Sequence, residues 1–178
     1  MALTKIDECS DSGVTAINFA SGIDSTYKVY KFVFLEVNPA ASSASVYWTF
    51  QGGAGSYATT MTSTFWKSEY HLDDSSGEGP DMTLGQHQES GYQKLFQAPG
   101  PGATESIAGE LYLFNPSSTT FVKHFICNNT GIYGPYTSRG VVQNGVAGYF
   151  NTTSAITSIG FKLDDDSAFD ATIQLWGL

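Results

Sequence analysis

The sequence predicts an all-β protein, an antiparallel β-sandwich or jelly roll built as a single domain. Three observations lead there. Aromatic residues make up 14% of the 178 positions, with 12 Phe, 10 Tyr and 3 Trp, and Gly adds 19. With frequent Thr, that mixture suits short strands joined by many turns. Strand-like apolar segments recur about every ten to twenty residues, and none carries a 3.6-residue stripe capped at both ends.

The elements follow in chain order. Residues 1–16 read as an N-terminal arm. Its opening "MALTKIDECSDSG" carries Asp7 and Glu8 and lacks the apolar core of a secretory signal, so none is expected. "STYKVYKFVFLEV", Ser25 to Val37, is the clearest strand. Tyr27, Val29, Val33, Leu35 and Val37 share one face, interrupted by Lys31, while Tyr30, Phe32 and Phe34 share the other. Apolar residues on both faces imply cover on both sides, with a neighbouring subunit one candidate for the second. "VYWTF", Val46 to Phe50, is the next strand, closed by the glycines of "QGGAGS". "ATTMTSTFWKSEY", Ala58 to Tyr70, is rich in β-branched and hydroxyl residues and is assigned as strand over helix.

Residues 73–106 differ. "DDSSGEGPD", "GQHQESGYQ" and "APGPGATES" offer few apolar anchors, so this insertion is expected to be loop-rich, with one short strand near Gly91 to Phe96. Glu110–Phe114 and Phe121–Cys127 are two strands joined by the turn Asn115–Thr120. "NNTGIYGPYTSRG" is expected to be a loop bearing Tyr133 and Tyr136. "GVAGYF", "ITSIGFKL" and "DATIQLWGL" supply the last strands. Asn-Pro plus small polar residues occurs both after Val37 and after Phe114. Both are read as hairpin-like turns, in which Asn bends the chain, Pro fixes φ, and Ser or Thr satisfies open backbone groups.

Charge narrows the partners. The net charge is −9 and Arg139 is the sole arginine. Such a chain repels phosphate backbones, so nucleic acid is not an expected partner. No apolar run approaches the roughly 20 residues of a membrane helix, so membrane insertion is not expected either. Cys9 and Cys127 read as two thiols without a disulfide framework.

Catalytic signatures are missing. His71, His87 and His124 lack metal-ligand spacing, and His124 reads as a half-buried strand histidine. "LDDDSAFD" concentrates Asp164, Asp165, Asp166 and Asp170, but without the periodic ligands and glycine of a calcium loop it reads as a solvated turn. There is no G-x-S-x-G elbow, and no pair of acids stands out as a glycosidase couple. No catalytic residue, cofactor or metal site is assigned. Tyr92, Tyr133 and Tyr136 are the candidate partner or glycan contacts, because exposed aromatic rings in Gly-rich segments stack on sugar faces.

Four longer strings carry a resemblance. "SGIDSTYKVYKFVF", "AGELYLFNPSSTTFVKHF", "AGYFNTTSAITSIGFKL" and the final "DATIQLWGL" together resemble a family of virion structural proteins of marine tailed phages, cyanophages especially. The likeness runs from about Ile17 to Leu178, and Trp176 stands where the family pattern has Tyr. The resemblance implies a non-enzymatic jelly-roll-like sandwich, commonly a homotrimer, on the exterior of the phage particle. Its partners would be other virion proteins of capsid or tail, as decoration, cement or short fibre. The family brings no agreed catalytic residues. With about sixteen residues ahead of the first shared string, an appendage or cement piece is favoured over the tip of a long fibre. The alternative is a receptor-binding, glycan-adhesion module of a tail fibre that grips the host surface.

Overall fold

The structure is a computed structural model that describes residues 3–40, 46–71, 75–97, 99–100, 102, 104–133 and 140–178. Among these residues there is no helix, hence none long and apolar enough to cross a membrane. Strands β1 (Thr4–Val14), β2 (Ile17–Phe19), β3 (Val29–Pro39) and β4 (Tyr47–Gly53) come first. They are followed by β5 (Met61–His71), β6 (Ser76–Pro80), β7 (His87–Glu89) and β8 (Gln93–Gln97). The chain closes with β9 (Ile107–Phe114), β10 (Lys123–Tyr133), β11 (Gly140–Phe150), β12 (Ser158–Leu163) and β13 (Phe169–Gly177).

These strands form two antiparallel sheets packed as a sandwich. The long sheet runs β1-β13-β3-β9-β10-β11-β5-β6, with β7 also paired to β5, and the short sheet runs β2-β12-β4-β8. Their facing sides enclose an aromatic core. Tyr30, Phe32 and Phe34 come from β3, Trp48 and Phe50 from β4, Phe125 from β10, Phe150 from β11 and Phe161 from β12. Fully burying one such side chain is worth about 2–3 kcal/mol, and here they do so as a group.

Several expectations change at the level of single residues. In β3 the two-residue alternation holds through Phe34. A bulge against β9 between Phe34 and Val37 then leaves Leu35 and Glu36 both outside and returns Val37 to the core. A bulge resets which face each later residue occupies, so Val37 does not share a face with Leu35. On β10, Phe125 and Cys127 point inward, which places Lys123 inside and His124 outside. His124 is therefore an exposed neighbour of the Tyr149 ring at 5.8 Å, and the buried member of the pair is the lysine. Lys123 Nζ donates to the Phe121 carbonyl at 2.9 Å and the Thr152 carbonyl at 3.1 Å. Burial holds its pKa below the ordinary lysine value.

Longer segments change too. The arm 1–16 contains β1, an edge strand hydrogen-bonded along β13. The insertion 73–106 holds two further strands, β6 and β7, besides the expected short one. "NNTGIY" continues β10 in place of forming a loop. The turn Asn115–Thr120 does join neighbouring strands β9 and β10. Asn115 takes a left-handed φ of 46°, and the Ser118 hydroxyl accepts the Phe121 N–H at 3.0 Å. The second Asn-Pro is different. It ends β3 in the long sheet, while β4 lies in the short one, so it begins a crossover between sheets and is no hairpin. Asn38 there donates its side-chain amide to the carbonyls of Gly102 (2.9 Å) and Glu105.

The polar insertion is fastened by buried side chains that look like surface in the sequence. Gln51, Ser63, Gln86 and Gln93 are all buried. Gln51 donates to the carbonyls of Ser90 and Gly91, Gln86 to Tyr92, and Gln93 to Leu84 and Lys94. Each amide thus supplies donors that irregular buried backbone needs.

Candidate functional site

Of the three aromatic candidates, Tyr92 and Tyr133 lie among the described residues. Tyr92 precedes β8 and sits beneath Lys162 of β12, whose Nζ lies 4.8 Å from its ring centroid. Burial raises its hydroxyl pKa. Tyr133 ends β10, packs on the core and meets the His71 ring edge-on at 5.5 Å. Tyr136 lies outside the described residues. Two of the three rings are therefore engaged with the protein itself.

The acidic cluster is engaged by its own turn and by two neighbouring strands. Asp164 accepts the Tyr47 N–H at 2.8 Å, Asp165 accepts the Ser167 N–H at 3.0 Å, and Asp166 pairs with Lys162 at 2.6 Å. Asp170 accepts the Ser12 hydroxyl at 2.6 Å and the Gly13 N–H at 2.8 Å. Among the described residues no cluster of His, Cys, Asp or Glu is placed to hold a metal ion.

What the sequence did not single out is the outer face of the long sheet. The register lines residues up in rows across the strands, and paired residues share a face. One row runs Ala108, Thr130, Gln143, Ser68 and Glu78, all small or polar. On one side of it stand Ile132, Val141 and Tyr70. On the other stand Val33, Glu110, Asn128, Gly145 and Trp66. Low side chains between higher ones make a trough. Two hollows of about 520 and 450 Å³ share Thr130 and Gln143 and run together along it.

The trough has a defined chemistry. Tyr70 is 53% exposed and Trp66 51%. The side chains of Ser68, Asn128, Thr130 and Gln143 hydrogen-bond to no other described residue. Gly145 leaves room between Asn128 and Trp66, since a Cβ there would lie 3.6 Å from Asn128 Oδ1 and 3.9 Å from Trp66 Cβ. The charged residues that line it are Glu69, Glu78 and Glu110, and Glu69 is paired with Lys67 Nζ at 3.2 Å. Glu110 is held by Lys31 Nζ at 2.6 Å, a contact that raises the lysine pKa before any other cause.

Comparison of the chain with protein-family models, with curated proteins and with solved structures returned no match. The functional argument therefore rests on the residues and their geometry.

One row further along the strands the same face turns apolar. Trp176, Lys31, Tyr112, Ile126 and Ala147 stand in register. Phe114 stacks on Tyr112 with centroids 6.3 Å apart, and Ile126 is 44% exposed. Phe121, in the turn that follows β9, is 69% exposed. The sequence signalled a covered second face only on β3, whose residue in this row is Lys31; Tyr112 and Phe114 come from β9 and Ile126 from β10. The trough had no such signal, because its residues come from separate strands.

Proposed function

We propose that the chain is a non-enzymatic structural protein of a tailed-phage particle, an oligomeric β-sandwich, most simply a homotrimer, on the exterior of the capsid or tail. Two things support the reading. The four strings that resemble marine phage virion proteins fall largely on β3, β9, β10, β11, β12 and β13, and five of these are neighbours in the long sheet. The observation that carries the oligomer is the outer face of that sheet, where Leu35 is 50% and Ile126 44% exposed beside the half-buried Tyr112–Phe114 pair.

A strand with apolar residues on both faces needs a second cover, and a subunit or shell neighbour supplies one. Apolar area would carry the association, at about 25 cal/mol per Å² before the cost of ordering two bodies. The test is light scattering behind size exclusion, with co-sedimentation on particles. An oligomer that Ile126→Asp dissociates is the expected result. A monomer at micromolar concentration that fails to bind particles would overturn the reading.

A further inference from the structure

We propose that the trough across the outer face of the long sheet, floored by Ser68, Thr130 and Gln143 and flanked by Asn128, Trp66 and Tyr70, binds an uncharged oligosaccharide. The inference stands apart from the virion reading, since it uses the polar rows and leaves the Tyr112–Phe114–Ile126 patch to another contact.

Shape comes first. The lining residues come from β3, β9, β10, β11, β5 and β6, so the trough crosses five inter-strand spacings of about 4.8 Å and extends for about 24 Å. An elongated, open, shallow channel fits a chain of sugar rings better than one compact metabolite, which is ordinarily enclosed on most sides.

The groups on its walls match the two kinds of surface a pyranose presents. The C–H face of a sugar packs on an exposed aromatic ring, and Trp66 and Tyr70 offer such rings about half exposed. The sugar edge carries vicinal hydroxyls, each both donor and acceptor. The Asn128 and Gln143 amides present a carbonyl beside an NH₂, and the Ser68 and Thr130 hydroxyls can turn to suit. An apolar protein surface laid here would strip water from these four groups and return no hydrogen bonds. A sugar returns them.

Charge selects among sugars. Glu69, Glu78 and Glu110 line the channel; Glu69 is paired with Lys67 and Glu110 with Lys31, and the chain as a whole carries −9. Uronic, sialylated or phosphorylated glycans would be repelled. Neutral hexoses and N-acetylhexosamines would not.

The experiment is an array of neutral, N-acetylated, uronic and sialylated oligosaccharides, followed by calorimetric titration with the best neutral binder. Trp66→Ala and Gln143→Ala are expected to weaken binding about tenfold or more each, the scale of one lost specific contact. Gly145→Val fills the space between Asn128 and Trp66, suits a strand, and is expected to abolish binding with the melting temperature unchanged. Lys162→Ala, on the short sheet, is expected to bind as the parent does. Retention of no neutral oligosaccharide at millimolar concentration would overturn the proposal, as would a preference for uronic or sialylated glycans. So would binding indifferent to all three trough substitutions. A change of oligomeric state in those variants would show instead that a second copy fills the trough, and would overturn it too.

Discussion

Phe161 is the residue on which the two sheets converge. Its ring lies 5.2 Å from Phe34, 5.4 Å from Phe32, 5.7 Å from Trp48, and 6.4 Å from both Phe19 and Phe50. Partners from β2, β3 and β4 meet at this one side chain. Phe161→Ala is expected to cost about 3–5 kcal/mol in urea unfolding, the range for a large aromatic removed from a core that cannot collapse. Phe161→Leu is expected to cost markedly less, since most of the volume is kept. A change below 1 kcal/mol for the alanine variant would mean the sheets repack without it. Residue-scale errors in the sequence reading have a common origin. Lysine is the more hydrophilic of Lys123 and His124, so composition favours burying the histidine. The alternation set by Phe125 and Cys127 says the opposite, and alternation decides. That signal was present at positions two and four residues away.

At the scale of elements, β1 is paired along β13 through its backbone and pinned further by side chains whose charge is pH-dependent. Glu8 accepts the Gln174 amide at 2.6 Å and Lys5 at 3.2 Å, and the first of these does most to lower its pKa. Asp170 is lowered chiefly by the Ser12 hydroxyl, then by the Gly13 N–H. A carboxylate whose folded pKa is depressed stabilises the fold fully above its unfolded pKa and loses that contribution as pH falls through the folded value. The unfolded values lie near pH 4. Below about pH 4, then, β1 is expected to loosen from β13, with amide protection factors in Thr4–Val14 falling before those of β3 or β10. Asp170→Asn should flatten that pH response. Equal loss of protection in β1 and β10 would contradict it. The strands invisible in the sequence, β1, β2, β6 and β7, lie at sheet margins, β2 in the short sheet and the others in the long one. β1, β6 and β7 bury no residue fully and β2 is only three residues long, so backbone pairing to a neighbour does most to hold them. Backbone hydrogen bonds leave little trace in side-chain identity. Interior strands such as β3, β10 and β13 were legible because packing selects their side chains.

At the scale of the whole molecule, fold class was legible and site was not, for the same physical reason. A sandwich core needs alternating apolar residues within each strand, and that pattern is local. The trough needs Ala108, Thr130, Gln143 and Ser68 abreast, which only the register of four separate strands provides. Looking for exposed rings near glycines selected Tyr92 and Tyr133, and both turned out to be occupied by Lys162 and His71. The insertion misled in the same way, since buried Gln51, Gln86 and Gln93 are indistinguishable from surface glutamines until their carbonyl partners are known.

The two thiols give this architecture a clock. Cys9 lies on edge strand β1, half-buried, its pKa pushed up to about 11 by desolvation and the neighbouring Asp11. Cys127 is fully buried at mid-strand in β10, where burial pushes its pKa up still further. Neither is an active nucleophile while its strand is in place. A thiol-reactive dye is therefore expected to label the protein in two phases. The early one reads fraying of the margin and quickens in weak acid after correction for thiolate fraction. The late one follows the fraction of molecules wholly open and accelerates with denaturant. Coincident phases in native buffer would mean that the sheet comes apart from its middle.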